Sequence, residues 1–113
     1  MSNKSNRSPE LTGGERHLIA RLRAGQTQQE RAGLLGISLW LYRRVEKNLH
    51  QHISVLNVVG KLAKHETCLI ARLRAKMTRR KLARKLRISE FWLYKMESGT
   101  APTDRLLTYW QKH

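Results

Sequence analysis

Residues 27–48, TQQERAGLLGISLWLYRRVEKN, decide the fold of this chain, because their spacing predicts two short helices joined by a tight turn. Thr27 and Glu30 have the T-x-x-E spacing of a capping box, in which the two side chains satisfy unpaired amides at the start of a helix. Gly36 can adopt the left-handed backbone that a sharp turn between helices requires. Ser38 then caps a second helix through its side-chain oxygen. The stretch therefore predicts a helix, a sharp turn and a second helix.

An apolar seam on the inner side of the two predicted helices gives them a reason to pack together. Ala32 is small enough to let the helices touch. At helical spacing, the larger members of the seam are Leu34, Leu35, Ile37, Leu41, Tyr42 and Val45. Two helices that pack in this way across a short turn form a helix-turn-helix motif.

The chain repeats itself at an offset of 51 residues. Residues 18–24, LIARLRA, return unchanged as residues 69–75, and further matches flank this segment on both sides. Such self-similarity at a fixed offset indicates a tandem duplication. We therefore predict a flexible tail over residues 1–10, a first helix-turn-helix unit over 11–61 and a second over 62–113.

The predicted fold class is all-α, with about four helices in each unit. The predicted helices cover residues 15–24, 28–35 and 39–47 in the first unit and 66–76, 79–86 and 90–98 in the second, with fourth helices starting near Ser54 and Thr103. Each unit is close to the smallest size that can bury a useful core. We therefore expect the two units to pack on each other as an internal pseudo-dimer.

The charge of the chain predicts a polyanionic partner. Twenty-three Lys and Arg residues against eight acids give a net charge of +15, which a chain of 113 residues does not need for solubility. Residues 72–87 hold nine basic residues and no acid. We expect this basic run to supply much of a salt-dependent affinity for nucleic acid. The alternative is that the run is simply a solvated helix face without a ligand.

Several other classes of function are not supported by the residue pattern. Cys68 is the only cysteine, which excludes an intramolecular disulfide and fits a reducing, cytoplasmic compartment. No apolar run reaches the length of a membrane span, so we expect no membrane partner. The pairs His50/His52 and His65/Cys68 are too few for a structural metal site. With neither a phosphate-binding loop nor an acid–base pair, we expect no enzyme activity and no cofactor.

Both copies of the motif resemble the Cro/repressor-like (XRE-type) helix-turn-helix family of DNA-binding proteins. In that family a T-Q-x-x-L-A-x-x-L-G-I-S pattern precedes the recognition helix, and E-x-G or E-N follows it. The first copy matches at Thr27, Gln28, Ala32, Leu35, Gly36, Ile37, Ser38, Glu46 and Asn48. The second copy matches at Thr78, Leu82, Ala83, Leu86, Ile88, Ser89, Glu97 and Gly99, and Pro102 follows as in many family members.

Three arginines depart from the family pattern. Arg31 stands where the family prefers an apolar residue, so we expect the second helix to pack less fully or to turn this side chain outward. Arg87 replaces the glycine of the turn, which predicts a strained backbone there. Arg79 replaces the glutamine that in this family often clamps a phosphate or a base, and an arginine retains the phosphate role.

The resemblance implies that the third helix of each unit lies in the major groove of double-stranded DNA. The residues implied for base or groove contact are Ser38, Leu39, Trp40, Arg43, Arg44 and Lys47 in the first unit and Ser89, Glu90, Phe91, Tyr94 and Lys95 in the second. Gln28, Gln29, Arg79 and Arg80 are implied for phosphate contacts. Arg43 or Arg44 would bind guanine, and Glu90 would accept a hydrogen bond from cytosine.

The aromatic residues of the third helices leave two interpretations open. We expect Trp40 and Phe91 to lie either against thymine methyl groups or against protein, which is the other unit or a partner. We assign Leu41 and Trp92 to the core. The favoured function is a sequence-specific transcriptional regulator, most often a repressor of phage, plasmid or other mobile-element type, acting on an operator in the bacterial cytoplasm or nucleoid. It binds as a monomeric pseudo-dimer or as a homodimer. The alternative is a protein-interaction module, such as an anti-activator or polymerase-binding factor. A weaker alternative is RNA or non-specific nucleoid binding.

Overall fold

The computed structural model describes residues 10–50 and 59–113, and every regular element within these ranges is an α-helix. The helices are α1 (Gly13–Arg23), α2 (Gln28–Leu35), α3 (Leu39–Glu46), α4 (Lys64–Arg74), α5 (Arg79–Leu86), α6 (Glu90–Glu97) and α7 (Asp104–Lys112). The predicted all-α class is confirmed for this part of the chain. The fourth helix predicted near Ser54 falls outside the described residues, as does the predicted tail apart from Glu10.

The chain divides into two compact units, Met1–Gly60 and Lys61–His113. Helices α4, α5 and α6 begin and end 51 residues after α1, α2 and α3, so the sequence repeat is also a repeat of helix boundaries. Within the described ranges, no helix has both the length and the apolar character needed to cross a membrane.

The helix boundaries follow from the capping residues. Glu30 N donates to Thr27 Oγ1 at 3.1 Å and Thr27 N donates to Glu30 Oε1 at 2.8 Å, which is the capping box predicted for α2. A second box joins Thr12 and Glu15. Because a helix starts directly after its cap, α1 begins at Gly13, two residues before the predicted start at Glu15.

Both turns between the paired helices contain a left-handed residue. Gly36 has φ 72° and ψ 30°, the conformation predicted for it. Arg87 occupies the equivalent position with φ 58° and ψ 45°. A residue with a Cβ atom is disfavoured in this region, so the strain predicted at Arg87 is present in the backbone.

The core of the first unit differs from the predicted seam at two positions on α2. Arg31 is 2% exposed, and its Nη1 donates to Gln26 Oε1 at 3.1 Å, so the expectation that it turns outward is wrong. Leu34 is 57% exposed, and its place in the seam is also wrong. Arg31 and Ala32 lie on the buried face, and Leu34 lies about 200° round the helix from Ala32. The inner face of α2 is therefore occupied by an arginine stem.

Tyr42 is the centre of the first unit's core. Its side chain is fully buried, its hydroxyl donates to the carbonyl oxygen of His17 at 3.4 Å, and its ring meets the His17 ring edge-on. Burial, followed by the neighbouring Glu46, raises the pKa of Tyr42. The remaining buried apolar residues of the helices are Ile19, Ala20, Ala32 and Val45.

The core of the second unit joins all four of its helices. Its buried members are Cys68, Leu82, Ala83, Leu86, Leu93, Met96 and Leu106. Leu93 is fully buried, whereas Trp92 is 43% exposed, so the assignment of Trp92 to the core is wrong. Adjacent residues point about 100° apart around a helix, and Leu93 occupies the inward position. Leu41, assigned to the core in the first unit, is only half-buried.

Candidate nucleic-acid interface

The surface of α3 combines one exposed aromatic ring with three cations. Ser38 caps the helix by accepting from Leu41 N at 3.1 Å. Trp40 is 67% exposed, and Arg43 and Lys47 are exposed as predicted. Two further predicted contact residues, Leu39 and Arg44, are half-buried rather than exposed. Arg44 is half-buried because it contacts Trp40 and Leu49.

Arg44 is held by two contacts within α3 and the residues that follow it. Its guanidinium lies 5.0 Å from the centre of the Trp40 ring, and its Nη2 donates to the carbonyl oxygen of Leu49 at 3.0 Å. These two contacts hold the guanidinium against the helix and limit its reach. Arg43 is therefore the better placed of the two predicted guanine-binding arginines.

A hydrogen-bond network connects Arg43 to the interior of the first unit. Arg21 Nε donates to Glu46 Oε2 at 2.7 Å. Gln28 Nε2 donates to Glu46 Oε1 at 2.9 Å, and Arg43 Nε donates to Gln28 Oε1 at 3.4 Å. Burial alone would lower the pKa of Arg21, but the hydrogen bond and charge of Glu46, together with Tyr42, outweigh burial and raise the pKa. Glu46 thus orients Gln28, and Gln28 orients Arg43.

The second unit builds the same network around Glu97, with an arginine in place of the glutamine. Arg72 Nε donates to Glu97 Oε2 at 2.6 Å, and both side chains are at least nine-tenths buried. Arg79 Nε donates to Glu97 Oε1 at 3.4 Å. Arg79 keeps 40% of its side chain exposed, and its guanidinium lies 5.4 Å from the centre of the Tyr94 ring. Arg79 therefore connects the start of α5 with the outer face of α6.

The outer face of α6 is more aromatic than that of α3. Phe91 is 68% exposed and Tyr94 is 51% exposed. Lys95 is half-buried because its Nζ lies 5.5 Å from the centre of the Phe91 ring and 5.7 Å from that of Trp92. Ser89 caps this helix by accepting from Trp92 N, and Glu90 is exposed in the first turn.

The basic run of residues 72–87 divides between an internal ion pair and an exposed surface. Arg72 is buried against Glu97. The cations of α5 and its turn that are exposed are Arg80, Lys81, Arg84, Lys85 and Arg87. The equivalent positions of the first unit hold Gln29, Glu30, Gly33, Leu34 and Gly36. The same five positions therefore carry a net charge of +5 in one unit and −1 in the other.

Some of the residues predicted to contact DNA touch one another in the structure, and others are exposed singly. The contacting sets are Gln28 with Arg43, Trp40 with Arg44, Arg79 with Tyr94, and Phe91 with Lys95. Gln29, Lys47, Arg80 and Glu90 are exposed at the surface. The arginines that hold the two glutamates, Arg21 and Arg72, were missed by motif reasoning. The sequence feature that could have identified them is the repeat itself: both lie in the seven-residue segment that returns unchanged, residues 18–24 and 69–75.

Other chemistry is sparse in the described ranges. They contain no group of three or more His, Cys, Asp or Glu side chains arranged to hold a metal ion. Cys68 is fully buried, and burial together with the charge of Glu97 raises the pKa of its thiol to about 11. A buried thiol of this kind is a poor nucleophile at neutral pH.

Comparison with known proteins finds no match among family models, curated proteins or solved structures. The assignment of function therefore rests on the residues of the chain itself.

Proposed function

We propose that this chain is a sequence-specific regulator of transcription, of the repressor type, that binds double-stranded DNA. The observation that supports this most is the pair of capped helices with a left-handed turn between them, present at equivalent positions in both units beside exposed cations. An α-helix with its side chains is about 10–12 Å across, which suits insertion into a major groove about 12 Å wide.

In this proposal, Arg43 is the residue that reads a base. Its Nε donates to Gln28, and its side chain is exposed, which leaves the terminal nitrogens accessible to a base. An arginine fork presented in this way matches the N7 and O6 acceptors of guanine. Gln28 and Glu46 are positioning residues for Arg43. Gln29, Arg79 and Arg80, at the starts of α2 and α5, bind phosphates and set the orientation of the unit on DNA.

We further propose that the two units form two unlike reading heads in one chain. Their third helices share few exposed residues, so a single chain would recognise an asymmetric site with two different half-sites. The alternative is a palindromic operator bound by two whole chains. Footprinting combined with mass measurement of the complex separates the two, because symmetric protection by a dimer of chains would contradict the pseudo-dimer.

Replacing Arg43 and Arg44 together by alanine tests the reading role of α3. We expect selectivity for the preferred duplex over a scrambled duplex to fall at least about fivefold, because one bidentate arginine–guanine pair supplies about 1–3 kcal/mol of discrimination. The matched control is Lys64→Ala with Lys112→Ala, which removes the same charge from exposed positions outside the motif. Selectivity that falls equally in both variants would mean that only charge matters.

A second candidate function is a protein-interaction module that uses the third helices. The exposure of Trp40 and Phe91, about two-thirds of each side chain, favours this alternative. The arginine double variant distinguishes the two functions. It removes selective DNA binding in the first case and leaves binding to a protein partner intact in the second.

A further inference from the structure

The outer face of α6 forms a surface of rings and cations that is more aromatic than the equivalent face of α3. We define the ring surface as Phe91, Trp92 and Tyr94 together with Lys95 and Arg79. The three rings are 68%, 43% and 51% exposed, and a cation rests against each of them. Exposed aromatic side chains grouped in this way mark a binding surface rather than ordinary surface composition.

The charge around the ring surface indicates an anionic ligand. Five exposed cations of α5 and its turn belong to the same unit, and Glu90 is the single acid of α6 that is exposed. Arg79 reaches from the start of α5 to Tyr94, so the cations and the rings are connected. The ligand that complements both features is a polyanion that also presents flat apolar faces.

The first unit provides an internal comparison. At the positions of Trp92 and Tyr94 it carries Leu41 and Arg43, so only Trp40 presents a ring. In an intact duplex the faces of the bases are stacked and only their edges are accessible in the grooves. Aromatic side chains as exposed as those of α6 instead suit unpaired bases, which stack on such rings while cations bind the phosphates.

We propose that the ring surface of the second unit binds unpaired nucleobases of a single strand, DNA or RNA. Bases stack on Phe91, Trp92 and Tyr94, and the strand's phosphates lie against Lys95, Arg79 and Arg80. This interaction goes beyond the sequence-specific duplex binding proposed above. It requires no preferred sequence, because every base offers a flat face.

The test is a titration of the full chain with a labelled oligothymidylate and a labelled oligouridylate of about 12 nucleotides, a length within the site sizes of single-strand binders. The deciding variant is Trp92→Leu with Tyr94→Arg, which installs the residues that the first unit carries at these positions. The variant gains one positive charge, so binding by charge alone would strengthen. We expect its Kd for the single strand to rise at least about tenfold, because each base–ring stack is worth about 1–3 kcal/mol.

The control variant is Trp40→Leu, which removes the exposed ring of the first unit, and circular dichroism checks that both variants keep native helix content. We expect the control to bind the single strand as the native chain does. If the double variant binds the single strand as tightly as the native chain does, the proposal is overturned. The exposed rings would then be assigned to contact with a protein. Absence of single-strand binding overturns it as well. Neither result affects the duplex proposal, which is tested by selection among duplexes. The two oligonucleotides distinguish a DNA strand from an RNA strand.

Discussion

At the scale of single residues, the two units place glycine on opposite sides of the same close contact between helices. In the first unit Gly14 lies under the end of α3, and its N donates to Asn48 Oδ1 at 2.9 Å. At the equivalent positions the second unit has His65 and Gly99, and a Cβ atom on Gly99 would lie 2.9 Å from the His65 ring. Each unit therefore places its glycine on one side of this contact and the larger residue on the other.

We expect Gly14→Ala to lower the free energy of unfolding by about 2 kcal/mol, a typical cost of overpacking. A Cβ atom there would lie 2.6 Å from the backbone oxygens of both Val45 and Glu46, which do not move without shifting α3. The control is Gly33→Ala, where a Cβ atom meets nothing within 4 Å, and helix propensity should raise stability by about 0.5–1 kcal/mol. Urea denaturation measures both changes, and equal stabilities of the two variants would contradict the close contact.

Cys68 makes the stability of the second unit fall as the pH becomes alkaline. Its pKa is raised from 9.0 to about 11, so the folded state holds the thiol proton more tightly than the unfolded state does. Its contribution to stability is complete below pH 9 and is lost as the pH rises from about 9 to about 11. We expect the loss of unfolding free energy over this window to be smaller in Cys68→Ala than in the native chain. If the free energy of unfolding of the two proteins fell in parallel over this pH range, the assigned effect of the buried thiol would be contradicted.

At the scale of helices and turns, local residue patterns predicted the boundaries to within two residues and the buried faces less well. The largest offset at both ends is in α4, which is Lys64–Arg74 where 66–76 was predicted. Side-chain caps determine where these helices start through their own hydrogen bonds: Thr27 for α2, Ser38 for α3, Thr78 for α5 and Ser89 for α6. Helices α2 and α5 have the predicted bounds at both ends. Which side of a helix is buried depends on partners distant in sequence. Arg31 and Trp92 were misassigned for this reason, because neither polarity nor ring size shows which helix face the core will cover.

The turn between α5 and α6 contains backbone strain that one substitution should relieve. Glycine tolerates the left-handed conformation better than any other residue. We therefore expect Arg87→Gly to raise the free energy of unfolding by about 0.5–1 kcal/mol. The matched control is Arg84→Gly, which loses the same charge within α5 and should cost about 1 kcal/mol through helix propensity. Thermal unfolding followed by circular dichroism would record opposite shifts of Tm. Destabilisation by both substitutions would contradict strain at Arg87.

At the scale of the whole molecule, the two units share helix boundaries but differ in charge and surface chemistry. Residues 62–113 carry thirteen basic residues and four acids, a net charge of +9, which leaves +6 for residues 1–61. In the first unit Gln28 holds the exposed Arg43, whereas the second unit surrounds α5 with exposed cations. The repeat and the charge were evident in the sequence. The Glu46 and Glu97 networks were not, because they join residues 25 positions apart.

The measurement that tests the central claim most directly is selection from a pool of random duplex DNA by the full chain, at about 0.15 M ionic strength. A sequence-specific regulator with two unlike reading helices should enrich one motif with two different half-sites. One guanine position of that motif should relax when the selection is repeated with Arg43→Ala. Recovery of duplexes with no common motif, despite measurable binding, would contradict sequence-specific recognition.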